Sequence, residues 1–325
     1  MLRVGIIGAG GIMCSHAQRM EQTGEATVVS IAEPSSASVA RFRESTKLDP
    51  VVYHDFREML SREPLDCVLV GSPHTMHLEH ITVALQAGLH VLTEKPMVCS
   101  VADARTVLDV ARKSRGIFMI SYQRHLDPRF LWIKQQIESG SLGRLTYISS
   151  VLLQEWLYVA AGTWRHDPAL SGGGELNDSG THFLDVLRWV GGPVQQVHAY
   201  ADNRGTRVDI NTTVNMRFAS GALASLDVVG DAHGFWEDWT FSCERGTILY
   251  RNGDLRLLRL GEGAYPVEQS QLPPSTGDPD RAFVDAVLGR CEVPIPGRIG
   301  LEVIALTESI WTSVREDRPV DVPNV

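Results

Sequence analysis

A short apolar run, LRVGIIG, opens straight into Gly8-Ala9-Gly10-Gly11-Ile12-Met13 and then into IMCSHAQRMEQ, which has helical periodicity. Glycines between a strand and a helix let the backbone turn tightly and approach a pyrophosphate, whose charge meets the helix N-terminus. The third position of the G-x-G-x-x-G pattern is Met13, so by itself the match is weak and an ordinary glycine turn is the alternative. Its place after the first strand of a strand–helix–strand unit makes it a dinucleotide-binding turn. Glu33 ends the next strand, ATVVSIAE, where an acid bonds the adenosine ribose hydroxyls. A solvent-exposed acid at a strand end is the competing reading. Pro34-Ser35-Ser36 supply no immediate arginine for a 2′-phosphate, which favours NAD; Arg41 or Arg43 swinging back would admit NADP.

Short β-branched runs alternate with helical stretches through the first 120 residues or so. DCVLVGS, HVLTEKP and GIFMISY are further strands, and SSASVARFRESTK, TMHLEHITVALQAG and SVADARTVLDVARKS are helices. Such alternation predicts βαβ units in a parallel sheet. Beyond about residue 144 the rhythm changes. RLTYISSVLLQEW reads as a long strand, and one helix near 180–190 follows a glycine-rich loop. PVQQVHAYAD, NTTVNMRFASGALASLDVVG, WTFSCERGTILYR and DLRLLRL then carry short turn signals that favour antiparallel hairpins. Helices near 279–289 and 299–316 follow. The expected division is 1–122 for a dinucleotide domain and 123–325 for a substrate-binding and oligomerisation domain.

The net charge of −9 argues against nucleic acid or an anionic membrane as partner, and no apolar run is long enough to span a bilayer. The opening residues do not read as a signal peptide, because their apolar run breaks into glycines. Five scattered cysteines (14, 67, 99, 243, 291) form no CxxC pair, which reads as free thiols in a reducing cytoplasm with no metal signature.

Three further clusters carry chemistry. Ser72-Pro73-His74-Thr75-Met76-His77 sits at the carboxyl edge of a strand, where open α/β sheets bind ligands; a proline turn with a helix cap and solvent-facing or packed histidines is the alternative. Glu94-Lys95-Pro96 ends the fifth strand, and an ammonium there could polarise a reacting hydroxyl or carbonyl. A surface Glu94–Lys95 pair would look the same. Finally, Trp164-Arg165 precede Gly172-Gly173-Gly174-Glu175-Leu176-Asn177-Asp178-Ser179-Gly180-Thr181-His182. A helix from near Ser179 puts Asp178 and His182 on one face, as a carboxylate beside an imidazole, the pair that orients a general base. An N-cap role for Asp178 and a structural His182 are the alternatives.

GIIGAGGIM, SPHTMH, TEKPM, YQRHLDP, TWRHDP–SGGG and ELNDSGTHFLD occur in this order over nearly the whole chain, which thereby resembles the Gfo/Idh/MocA family of glucose–fructose oxidoreductase, inositol dehydrogenase and their relatives. The resemblance implies an N-terminal Rossmann domain, a C-terminal α/β domain with a large, mostly antiparallel open sheet, and homodimers or homotetramers built through that sheet. It implies that Lys95, Asp178 and His182 form the catalytic group, that Trp164 and Arg165 line the cofactor and substrate crevice, and that Gln123 lies near the nicotinamide. Arg124 and Asp127 become crevice residues. Met13 and Ser179 depart from the family pattern.

The expected activity is NAD(P)-dependent hydride transfer from a secondary alcohol of a sugar, inositol or polyol. His182 or Lys95 would take the hydroxyl proton, Lys95 would steady the oxygen, and Asp178 would orient His182 or grip a neighbouring hydroxyl. A glycosidase that oxidises transiently and eliminates is the second reading, and a non-catalytic sugar or nucleotide sensor the third. Glu155, Trp156, Tyr158, His233 and Trp236 are candidates to read sugar hydroxyls or stack on a pyranose.

Overall fold

The computed structural model describes residues 1–275 and 277–325 and divides the chain into two compact units. The first comprises Met1–Gln123 and Thr276–Leu301; the second comprises Arg124–Ser275 and Glu302–Val325. A single boundary at 122/123 therefore does not describe the chain, because a later segment returns to the first unit.

In the first unit six strands, β1 (Leu2–Ile7), β2 (Ala26–Ala32), β3 (Val51–Tyr53), β4 (Cys67–Val70), β5 (His90–Thr93) and β6 (Phe118–Ile120), pair in the order β3-β2-β1-β4-β5-β6. Every pair is parallel. Helices α1 (Gly11–Gln22), α2 (Ser36–Thr46), α3 (Phe56–Arg62), α4 (His77–Gln86) and α5 (Val101–Lys113) make the crossovers. All four residues of β4 are buried, as expected of a strand covered on both faces. The strand order reverses at β1 and β4, so the loops after these two strands flank the topological switch point.

The second unit holds a nine-stranded sheet: β7 (Leu145–Leu153), β8 (Val194–Asp202), β9 (Asn211–Phe218), β10 (Leu223–Val229), β11 (Trp236–Cys243), β12 (Gly246–Arg251), β13 (Asp254–Arg259), β14 (Gly263–Pro266) and β15 (Val320–Asp321). The order is β14-β13-β12-β11-β7-β10-β9-β8-β15, antiparallel except where β7 and β10 run parallel. Alternation decides its faces: in β9 Thr212, Val214, Met216 and Phe218 are buried while Thr213, Asn215 and Arg217 are exposed. Five helices belong to this stretch, α6 (Pro128–Glu138), α7 (Trp156–Val159), α8 (Pro168–Ser171), α9 (Glu175–Asp178) and α10 (Thr181–Gly191). Phe183 of α10 stacks on Trp239 at 4.6 Å, Trp239 stacks on Phe241 at 5.7 Å, and Phe130 of α6 meets the Trp239 ring edge-on at 6.0 Å. This aromatic column is the centre of the unit's core. Helix α11 (Pro279–Val287) lies in the segment assigned to the first unit, and α12 (Gly297–Glu316) completes the helices. Among the described residues, no helix is long and apolar enough to cross a membrane.

Candidate active site

In the first unit, residues 8–10 make the turn between β1 and α1. Gly8 has a φ of 86°, and a Cβ there would lie 2.8 Å from the Ser72 amide nitrogen and 2.9 Å from the Gly71 carbonyl. A side chain is excluded twice, by backbone conformation and by the chain leaving β4. Gly10 caps α1 with no side-chain hydrogen bond, and a Cβ on Gly10 or Gly11 would meet nothing within 4 Å. The first turn of α1 carries no acidic residue. Amide donors at a helix start, an open approach and no carboxylate within the helix's first turn fit a pyrophosphate. Ile12, 48% exposed, borders this opening.

Met13 replaces the third glycine at no cost to the turn, because it is buried against Gly71: a Cβ on Gly71 would lie 2.2 Å from the Met13 sulfur. The volume added at one position is removed at the other. Glu33 accepts from the Ala9 N–H at 2.8 Å and from the Ser35 N–H at 2.9 Å, tying the glycine turn to the start of α2. A carboxylate held there accepts ribose hydroxyl protons and repels a 2′-phosphate. Arg43 is paired with Asp49 at 2.8 Å, and Arg41 donates to Ser38 Oγ at 3.0 Å. The residues present thus fit NAD.

Past β4, Ser72 Oγ lies 2.8 Å from His80 Nδ1, and burial, then neighbouring His77 and Arg57, push His80 down to about 4. His74 is buried with its ring edge-on to His77 at 5.8 Å. His77 is 1% exposed, and its ring nitrogens lie 2.9 Å from the carbonyls of Ser72 and Pro96. Burial outweighs both carbonyls and lowers its pKa. Instead of presenting a ligand donor, His77 ties the loop after β4 to the loop after β5. Pro73 opens the short turn containing His74.

Past β5, Lys95 is partly buried and joined to buried Pro96 by a cis peptide bond. Glu94 accepts from His16 Nε2 at 2.9 Å, and the other ring nitrogen of His16 faces Asp280 of α11 at 2.7 Å. Burial disfavours charge on this ring, but the bonds to Asp280 and Glu94 prevail and raise it to about 9. His16 and Asp280 carry no sequence signal, since a lone histidine on a helix and an acid 264 residues away reveal nothing until the chain folds.

In the second unit the helix expected from near Ser179 is α10, starting at Thr181, and a separate short helix, α9, ends before it at Asp178. Gly180 sits between them, so close to α9 that a Cβ would lie 2.7 Å from the Leu176 carbonyl oxygen. Gly180, not Asp178, is the N-cap of α10. Asp178 is 5% exposed, and its Oδ2 accepts from Trp156 Nε1 at 2.9 Å and Arg165 Nε at 2.7 Å. The Arg165 guanidinium lies over the Trp164 ring at 4.6 Å. Asp178, Arg165, Trp164 and Trp156 are therefore brought together, and half-buried His182 follows in the first turn of α10. Buried Trp156 acts on Asp178 through its N–H and is no open sugar platform.

The glycine run before α9 serves packing. A Cβ on Gly173 would lie 2.5 Å from the Trp311 ring, and one on Gly174 would lie 1.9 Å from the Asp209 carbonyl oxygen. The Asp209 carboxylate accepts from the Gly174 and Leu176 amides at 3.0 and 2.9 Å, and burial raises its pKa.

Arg124 is placed elsewhere than expected. It pairs with Glu237, which also accepts from Tyr250 Oη at 2.6 Å, and its guanidinium lies 4.7 and 5.2 Å from the Phe130 and Phe183 rings. That is a core strut, not an open donor. Asp127 N-caps α6 through the Arg129 amide at 2.8 Å. Gln123 and Glu155 are exposed, Tyr158 stacks on His233 at 6.0 Å, and Trp236 is 43% exposed.

Residues 2–122 match the model of an oxidoreductase family with an NAD-binding Rossmann fold, and residues 130–249 match the GFO/IDH/MocA C-terminal domain. The chain is similar to levoglucosan dehydrogenase of Pseudarthrobacter phenanthrenivorans, 26% identical over 69% of this chain and 64% of that protein, so the match spans less than two thirds of the relative. It is 27% identical to myo-inositol 2-dehydrogenase of Thermotoga maritima over 70% of this chain and 68% of that protein. A solved levoglucosan dehydrogenase in complex with NADH and L-sorbose shares the fold, with a TM-score of 0.89, 22% identity and coverage of 100% and 99% of the two chains. An NAD-binding turn, its acidic partner and both family domains in succession have one common explanation: the chain belongs to the Gfo/Idh/MocA oxidoreductase family.

Proposed function

We propose that the protein is an NAD(P)-dependent dehydrogenase acting on a secondary alcohol of a sugar, inositol or related polyol. The observation that carries the reading is the open glycine turn with Glu33 bonded to the Ala9 amide, a cofactor cradle built into a member of an oxidoreductase family. Similarity to dehydrogenases named for levoglucosan and myo-inositol supports the substrate class.

A bound nicotinamide cofactor would supply the hydride acceptor for the carbinol carbon. His182 takes the hydroxyl proton, and Lys95 donates a hydrogen bond to the same oxygen as negative charge develops on it. Asp178, fixed by Trp156 and Arg165, orients His182 or grips a neighbouring hydroxyl. Lys95→Ala and His182→Ala should each lower turnover by about 10²–10⁴-fold while NAD binding persists. The test is NADH absorbance against inositols, aldoses and glycosides, with NAD and NADP in parallel, and sugar release followed alongside. Turnover that survives in both variants overturns the residue roles. Sugar release without net NADH replaces the dehydrogenase with a transient-oxidation glycosidase, and ligand binding without any turnover indicates a sensor. Five free thiols support a reducing, cytoplasmic setting. Tyr200 and Leu223, 55% and 51% exposed on the second unit's sheet, support a homodimer or homotetramer through that sheet, checked by light scattering.

A further inference from the structure

His16 is 2% exposed yet bonded at both ring nitrogens to carboxylates. Ionised carboxylates only accept, so both nitrogens must carry protons and the ring is a cation. Arg19 Nε donates to the second oxygen of Asp280 at 2.5 Å, and Asp280 is fully buried. Each buried charge of the cluster thus faces an opposite one, as burial requires, and Asp278 lies 3.8 Å from Arg19. It is no metal site: among the described residues, no group of three or more His, Cys, Asp or Glu could hold an ion.

The cluster touches the loop that presents Lys95. Glu94 gives Oε1 to His16, while its Oε2 accepts from the Lys95 backbone N–H at 3.3 Å. One residue further on, the Pro96 carbonyl lies against His77. Lys95 is thus framed by backbone contacts on both sides, and the anchor on the Glu94 side comes from α1 and α11.

We infer that His16 is a positioning residue for Lys95: by pinning the Glu94 carboxylate to Asp280, it holds Glu94 on the Lys95 amide and fixes where the Lys95 side chain departs. This rests on the catalytic reading of Lys95, but the clasp itself can be tested without turnover.

The experiment measures hydrogen exchange at the Lys95 amide, resolved by fragmentation mass spectrometry, in the full chain and in His16→Ala and His16→Gln. Glutamine retains a donor for one carboxylate only. Lys95 exchange should accelerate about tenfold or more in His16→Ala and less in His16→Gln, with the β5 amides of Val91 and Leu92 unchanged. Turnover per nucleotide-binding site should fall by about tenfold or more, with NAD affinity and substrate KM within about threefold. A merely structural His16 would lower the folded fraction and leave turnover per binding site intact. Unchanged Lys95 exchange in a folded variant overturns the inference, and if His16→Ala does not fold, His16→Gln decides. If the parent oxidises no alcohol, the dehydrogenase reading fails while the exchange result still decides the clasp.

Discussion

The two units prepare for chemistry in different ways. In the first, the cofactor cradle is mostly backbone: Gly8 in a left-handed conformation, uncapped amides at Gly10 and Gly11, and a carboxylate from the adjacent strand. In the second, the candidate catalytic acid is held by side chains: Asp178 takes a tryptophan N–H from α7 and a guanidinium from Arg165. A backbone site depends on which residue types can adopt a conformation. A side-chain site depends on which distant segments arrive beside it. The first therefore tolerates almost no change at a few positions, whereas the second should degrade in graded steps.

Gly8→Val tests the first half of that contrast and carries the largest expected effect. A Cβ so close to the Ser72 amide displaces the loop after β4, so NAD affinity should fall at least about 100-fold, read by quenching or calorimetry. Trp156→Phe tests the second half. It keeps a smaller aromatic ring and removes the donor to Asp178, and turnover should drop about tenfold with NAD affinity unchanged. An equal loss of NAD affinity in that variant would erase the distinction between the units.

Met13 and Gly71 sharpen it further. Gly71→Ala alone places a Cβ against the Met13 sulfur and should destabilise by about 1–3 kcal/mol in urea unfolding. Adding Met13→Ala should recover part of that loss; strictly additive losses would mean the two positions do not exchange volume.

The smallest effect is a pH dependence. His16 faces Glu94 and Asp280, with Arg19 on Asp280 and Asp278 3.8 Å from Arg19. Its folded pKa, about 9, lies above its ordinary 6.5. The stability it contributes is complete below about 6.5 and is lost as pH rises through about 9. Urea midpoints of the parent should decline across that window, and His16→Gln should flatten the decline.

Much of the fold was legible because its signals are local. The alternation of apolar runs with helical stretches yields the parallel sheet, and period-two burial in β9 yields a sheet with one covered face. The turn at Ala219–Ala222 separates β9 and β10 where the turn residues indicated. Other features were not legible, for equally physical reasons. β7 reads as any long strand, and nothing in it announces a parallel neighbour 70-odd residues later. Arg124 looked like a crevice residue until Glu237, Phe130 and Phe183 enclosed it. The alternative role of Asp178 as a helix cap falls to Gly180, and the carboxylate accepts from Trp156 and Arg165.

By itself the sequence determined the dinucleotide turn, its acidic partner and the family, because glycine conformation, helix dipoles and strand periodicity act over a few residues. Only the tertiary structure decided that Met13 fits because Gly71 makes room, that α11 belongs to the first unit, and that a buried histidine joins Asp280 to the glutamate beside Lys95. Those outcomes depend on contacts between segments far apart in the chain, and such contacts exist only after packing has excluded water and forced each buried charge to find its partner.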